Sequence, residues 1–286
     1  MTAGPLTTPG WRLRIQHRTG FRYAGSARAS YNEARLTPLT LPSQTTLESR
    51  VEISPPANLW RYWDYWGSHV TVFDLHEPHD VLEVTGSSVV ETSPAPPLPQ
   101  PLDWPQLAAA AERWYELAVP TPLTAVDGDL AVRARELASG QDPLGAAQAI
   151  TGWVRETVAY VRGATGVRTS AQEAYDQRAG VCQDLAHLSL GMLREAGLPA
   201  RYVSGYVHPA PHAEVGTTAE GQSHAWVEAW VGSWVGWDPT HGTQPGERHV
   251  VVARGRDYDD VPPLKGVYRG ASSTSVGVGV HITRLA

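Results

Sequence analysis

The stretch RAGVCQDLAHLSLGMLREAGLPARYVSG, residues 178–205, decides the fold of this chain. It reads as one amphipathic helix running into a strand. Leu185, Leu188, Met192 and Leu193 recur at helical spacing and form an apolar stripe. Gly197 supplies a left-handed terminator, and Pro199 prevents the helix from continuing. Cys182, the only cysteine in the chain, falls within the first turn. Unpaired backbone N–H groups and the positive end of the helix dipole favour an anion at that place. A solitary cysteine also packs as an ordinary small hydrophobe. Position on the helix therefore leaves nucleophile and core residue both open.

Outward from this helix, the hydrophobic period divides the chain. Residues 107–118, 128–140 and 142–161 carry apolar side chains at i, i+3, i+4 and i+7, the helical pattern. From residue 201 alternation takes over, in 201–207, 223–231, 234–238, 248–255 and 275–285. Helices followed by a run of strands predict an α+β domain with helices packed on an antiparallel sheet. Residues 11–92 alternate as short strands, with a turn expected at Thr19-Gly20, and predict an antiparallel β-sandwich-like domain. The proline-rich segment between them reads as a linker. The expected organisation is a tail over 1–10, a β-rich domain over 11–92, a linker over 93–104 and an α+β domain over 105–286.

A nucleophile needs a base, and the base an orienting group. The stretch QSHAWVEAWVGSWVGWDPTHG, residues 222–242, offers both on neighbouring strands. Side chains alternate along a strand, so His224, Trp226, Glu228 and Trp230 share one face, opposite Ala225, Val227, Ala229 and Val231. On the next strand Val235 and Trp237 face the core and leave Trp234, Gly236 and Asp238 on the other side. A Gly232-Ser233 loop of only those residues would set Asp238 opposite Val227, on the wrong face. His224 and Asp238 meet only if the loop gains one residue or the hairpin contains a bulge. An odd loop near Gly232 is therefore predicted.

Composition narrows the function classes. The net charge of -6 gives no electrostatic reason to expect nucleic acid or an anionic membrane as partner. No apolar run reaches the ~18 residues of a membrane span. One cysteine cannot form an internal disulfide, and the N-terminus lacks the pattern of a signal peptide, so a cytoplasmic location is the expectation.

In order and in local sequence, GVCQDLAHL with GLPARYVSGY, SHAWVEAW and SWVGWDPTHG resemble the transglutaminase-like superfamily of papain-type cysteine enzymes. The bacterial two-domain form, with a β-rich N-terminal region, is the nearest pattern. RGRDYDDVPPLKGVYRG, residues 254–270, resembles the region after the triad. The resemblance implies Cys182 as nucleophile, His224 as general base and acid, and Asp238 as orienting partner. It implies a thioester intermediate, a peptide or protein substrate, and neither metal nor organic cofactor. Hydrolysis of an amide is the preferred outcome. Protein-glutamine transglutaminase activity and a non-catalytic scaffold are the alternatives, and the N-terminal domain could dock a protein partner. Asp184, Trp226 and Tyr258 are further candidates: a carboxylate holding a loop beside the triad, a wall of the cleft, and a substrate contact. Residues 208–222 read as a long binding loop or lid.

Overall fold

The computed structural model describes residues 10–221 and 223–286; the first nine residues of the expected tail lie outside them. The chain begins with strands β1 (Trp11–Ala34), β2 (Gln44–Ser54), β3 (Trp60–Trp63), β4 (His69–Leu75) and β5 (His79–Thr92). Helices α1 (Trp104–Ala111), α2 (Tyr115–Ala118), α3 (Gly128–Ala138) and α4 (Pro143–Thr157) follow. Strand β6 (Ala159–Tyr160), helix α5 (Ala171–Gln177) and strand β7 (Ala179–Gly180) lead into helix α6 (Cys182–Glu195). The remainder is β8 (Ala200–Val207), β9 (Thr218–Gly221), β10 (His224–Trp230), β11 (Trp234–Trp237), β12 (His249–Gly255), β13 (Leu264–Arg269), β14 (Ser273–Ser275) and β15 (Gly279–Arg284). The architecture is α+β.

Apart from the short parallel pair β6–β7, the strands form a large antiparallel sheet and a smaller one in the order β11-β10-β8-β12. Strand β1 organises the large sheet. It pairs with β5 along one edge and with β14 and β15 along the other, and its later part lies between β4 and β13. The turn expected at Thr19-Gly20 is corrected: β1 runs straight through it. Gly20 serves close approach instead, since a Cβ there would stand 2.0 Å from the Leu82 carbonyl oxygen of β5.

The expected boundaries need a second correction. Residues 218–221 and 264–284, assigned to the catalytic domain, are hydrogen-bonded into the sheet that residues 11–92 begin. The connection 208–222, read as structureless, thus contains β9. One core lies between α3, α4, α6 and the small sheet and extends to Leu13, Ile15 and Ile282 of the large sheet. A separate cluster of Tyr23, Leu36, Val51, Phe73, Leu82 and Val84 fills the N-terminal region.

Helix α6 is buried along nearly its whole length. It ends where predicted, with Gly197 at φ 86°. Its last-turn Arg194, 5% exposed, donates to the carbonyls of Leu117, Ala200 and Arg256 and to Thr124 Oγ1. These bonds fix the C-terminal end of the helix to three surrounding segments.

Candidate active site

The hairpin β10–β11 has the loop the parity argument demands. Trp230 pairs with Trp234, so Val231, Gly232 and Ser233 form a loop of three residues, with Gly232 at φ 103°. Val227, Ala229, Val235 and Trp237 enter the main core. Trp226, Glu228, Trp234 and Gly236 turn the other way and line a cavity of about 730 Å³. With the faces in this phase, His224 Nε2 stands 2.7 Å from Asp238 Oδ2. Both residues are buried.

Cys182 is partly exposed at the first turn of α6 and packs against the edge of the core. Its thiol lies close enough to His224 to act on the charge of that imidazole. Burial alone would push the His224 imidazole down. The bonds and charges of Asp238 and Cys182 outweigh burial and hold it well above the usual histidine range. Burial likewise works to raise the Asp238 carboxyl, but its histidine partners hold it far below the ordinary carboxylate range.

Two of these partners escaped the sequence reading. His241 Nδ1 lies 2.7 Å and His249 Nε2 3.1 Å from the same Asp238 oxygen. The other oxygen accepts the backbone N–H groups of Thr240 and His241. His249 is held below the ordinary histidine range by burial, against the pull of Asp238. Its Nδ1 accepts the Gly246 N–H at 3.3 Å, which leaves the ring proton on Nε2, facing Asp238. The three imidazoles fix the carboxylate from as many directions.

The remaining candidates occupy distinct places. Asp184 is buried and caps the start of its own helix. Its Oδ2 accepts the Val181 N–H at 2.7 Å and the Thr165 hydroxyl at 2.6 Å, tying the 161–169 loop to the helix. Burial raises its carboxyl, against these bonds. Gly180 makes room for it, since a Cβ there would come within 2.7 Å of the Asp184 Cβ. Trp226 is 1% exposed; its ring lies 6.0 Å from that of His224 and 5.3 Å from that of His249. It is a packing wedge between histidines, and Gly205 leaves the space it fills. Tyr258 donates its backbone N–H to His187 Nε2 at 3.2 Å, which joins its turn to α6. Tyr160, another residue the sequence did not single out, sits on β6 beside Gly180. Its phenol is raised by burial and then by the charge of nearby Cys182.

Residues 132–239 match the transglutaminase-like superfamily, and residues 13–91 match the bacterial transglutaminase-like N-terminal region. An uncharacterized protein of Mycobacterium leprae is 47% identical over 96% of this chain and 100% of its own length. An uncharacterized protein of Mycobacterium tuberculosis is 33% identical over 95% of this chain and 92% of its own. The solved structure of a protein from Cytophaga hutchinsonii, provisionally designated a cysteine protease, superposes with a TM-score of 0.76 at 21% identity. That superposition covers 98% of this chain and 92% of the other, and it supports the fold. The chain therefore belongs to the transglutaminase-like superfamily, in the form that carries the bacterial N-terminal region.

Proposed function

We propose that this protein is a cysteine-dependent amide or peptide hydrolase in which Cys182 is the nucleophile, His224 the base and acid, and Asp238 the orienting group. One observation carries the reading: the buried His224 bonds the buried Asp238 through Nε2 at 2.7 Å, with Cys182, at the first turn of α6, close enough to help hold the same imidazole in its charged form. With Nε2–H committed to Asp238, Nδ1 is the nitrogen free to take the thiol proton. The product is a thiolate–imidazolium pair, whose cation Asp238 stabilises.

The thiolate attacks the carbonyl carbon of an amide. The tetrahedral oxyanion is met by the Cys182 backbone N–H, which has no acceptor within the helix. As the C–N bond breaks, His224 gives its proton to the departing amine, and a thioester remains on Cys182. His224 then takes a proton from water, whose oxygen attacks the thioester and releases the acid. The partial exposure of Cys182 favours water as acceptor. Membership of a transglutaminase-like family supports the second reading, in which a primary amine replaces water. A peptide or protein substrate and a cytoplasmic setting belong to the same proposal. No helix among the described residues is long and apolar enough to cross a membrane.

The test is the rate of Cys182 alkylation by iodoacetamide across pH, compared with His224→Ala. Fast alkylation persisting well below the free-thiol pKa of ~8.5, and slowed in the variant, is expected. Equal, slow, thiol-like rates in both proteins refute the proposal and favour a scaffold. A glutamine-containing peptide supplied with a labelled amine then separates transfer from hydrolysis.

A further inference from the structure

Asp238 is surrounded by more imidazole than an orienting carboxylate needs. The nitrogens of His224 (2.7 Å), His241 (2.7 Å) and His249 (3.1 Å) converge on one of its oxygens. One ligand atom from each of these four residues lies within 4.8 Å of all the others. We propose that Asp238, His241 and His249, with His224 as fourth ligand, form a binding site for a divalent transition-metal ion of the zinc class.

Three imidazoles and a carboxylate are a borderline-soft set that suits zinc and its neighbours better than magnesium or calcium. Zinc bonds of ~2.0–2.2 Å imply edges of roughly 3.4 Å in a tetrahedral site. The present hydrogen bonds of 2.7–3.1 Å would lengthen by roughly 0.3–0.7 Å to admit the ion. The cluster is buried except at the His241 ring, and two cavities border it. Asp238 lines a cavity of about 270 Å³ with Pro239 and Gly242, and His249 lines the separate cavity of about 730 Å³.

The protons balance simply. His241 moves its ring proton to Nε2 on a partly exposed ring. His249 moves its own to Nδ1 and gives up the 3.3 Å bond from Gly246. His224, when imidazolium, releases the Nε2 proton and keeps the one on Nδ1, so each ion displaces one proton. The bound ion would take Asp238 away from His224 and leave a protonated Nδ1 facing Cys182, switching off the base. That consequence, though not the binding, rests on the Cys182–His224–Asp238 reading.

The experiment uses the full chain with Cys182→Ala, so that the thiol cannot serve as ligand. Zn²⁺ is titrated by calorimetry and Co²⁺ by visible absorption. One equivalent should bind with the intense bands of a four-coordinate cobalt site, as tightly as in the unmodified chain. His241→Gln and His249→Gln should each weaken binding at least about tenfold. His241 is partly exposed and its variant decides the test if His249→Gln unfolds. The proposal is overturned if Cys182→Ala binds neither ion, or if both glutamine variants bind as the parent does. Ion binding to a chain without thiol reactivity would sink the proposed enzyme activity and leave the metal site standing.

Discussion

Replacing Asp238 with Asn tests the geometry of the site most directly, because the change removes one charge and almost no volume. Oδ1 of the asparagine can still accept the Thr240 and His241 amides. Its NH₂ group, however, would stand where Oδ2 now accepts from three imidazoles. Donor would face donor. His224 can escape only by carrying its proton on Nδ1, toward Cys182, where it no longer acts as a base. A hydrogen bond to a charged partner contributes about 1.5–3 kcal/mol, so losing the one to the imidazolium costs roughly 10–150-fold in rate. The reversed tautomer adds to this, and the corresponding change in a Ser-His-Asp site costs about 10⁴-fold. The expected fall in Cys182 alkylation at pH 6, and in amide turnover if a substrate is found, is therefore at least ~10²-fold. Circular dichroism should show the fold intact at the assay temperature. A folded Asp238→Asn protein reacting within about threefold of the parent would refute the assignment of His224 as an Asp238-oriented base.

Other predictions concern stability. Glu228, 8% exposed, accepts from Arg201 at 2.6 Å and from Arg254 at 3.0 Å. Glu228→Gln leaves two largely buried guanidiniums without a counter-charge and should cost about 3 kcal/mol, read as a Tm lowered by roughly 6–12 °C; an unchanged Tm contradicts this. Gly20→Ala should cost about 1–3 kcal/mol in urea unfolding, because its Cβ meets backbone of β5. Gly128→Ala, with nothing within 4 Å of the new Cβ, is the control and should change little. If the two behave alike, the close-approach explanation of Gly20 fails. Burial holds His187 down at about 3 and His17 at about 4, whereas an unfolded histidine titrates near 6.5. Both are neutral in both states above that range. As pH falls below it only the unfolded chain takes up these protons, so stability is lost toward the folded values. At pH 5 the loss is about 2 kcal/mol for each residue. Urea midpoints at pH 7.5 and 5 measure it, and equal midpoints would disprove it.

The sequence carried the site further than it carried the architecture. Helix α6 announced itself through a local stripe and a local stop. Face parity then called for an odd loop or a bulge near Gly232 without knowledge of the tertiary fold, and the structure takes the first course, with three residues between Trp230 and Trp234. Thr19-Gly20 misled because glycine has more than one use, and only the approaching β5 distinguishes a turn from a close contact. The pairing of β1 with β13, β14 and β15 was not legible, since alternation gives the faces of a strand and not its neighbours. His249 looked like part of an apolar strand, RHVVVARG. Its role emerges only because β12 and β10 flank β8, where Val251 and His224 both pair with Gly205. His241 was closer to being readable, at three residues beyond Asp238 in DPTHG.

The closing of the large sheet by strands from opposite ends of the chain also bears on how the protein is made. Leu13 pairs with Arg284, and Ala34 with Leu264. During synthesis β1 and β5 emerge early, yet the far edge of β1 must wait for residues 264–284 to leave the ribosome. Until then an open strand edge is available to other chains, and contacts of such long sequence separation form slowly. Nascent chains halted near residue 260 should therefore be more prone to aggregation than the finished protein, although they already contain Cys182, His224, Asp238, His241 and His249. Chemistry in this molecule is complete in sequence before the scaffold that supports it can close.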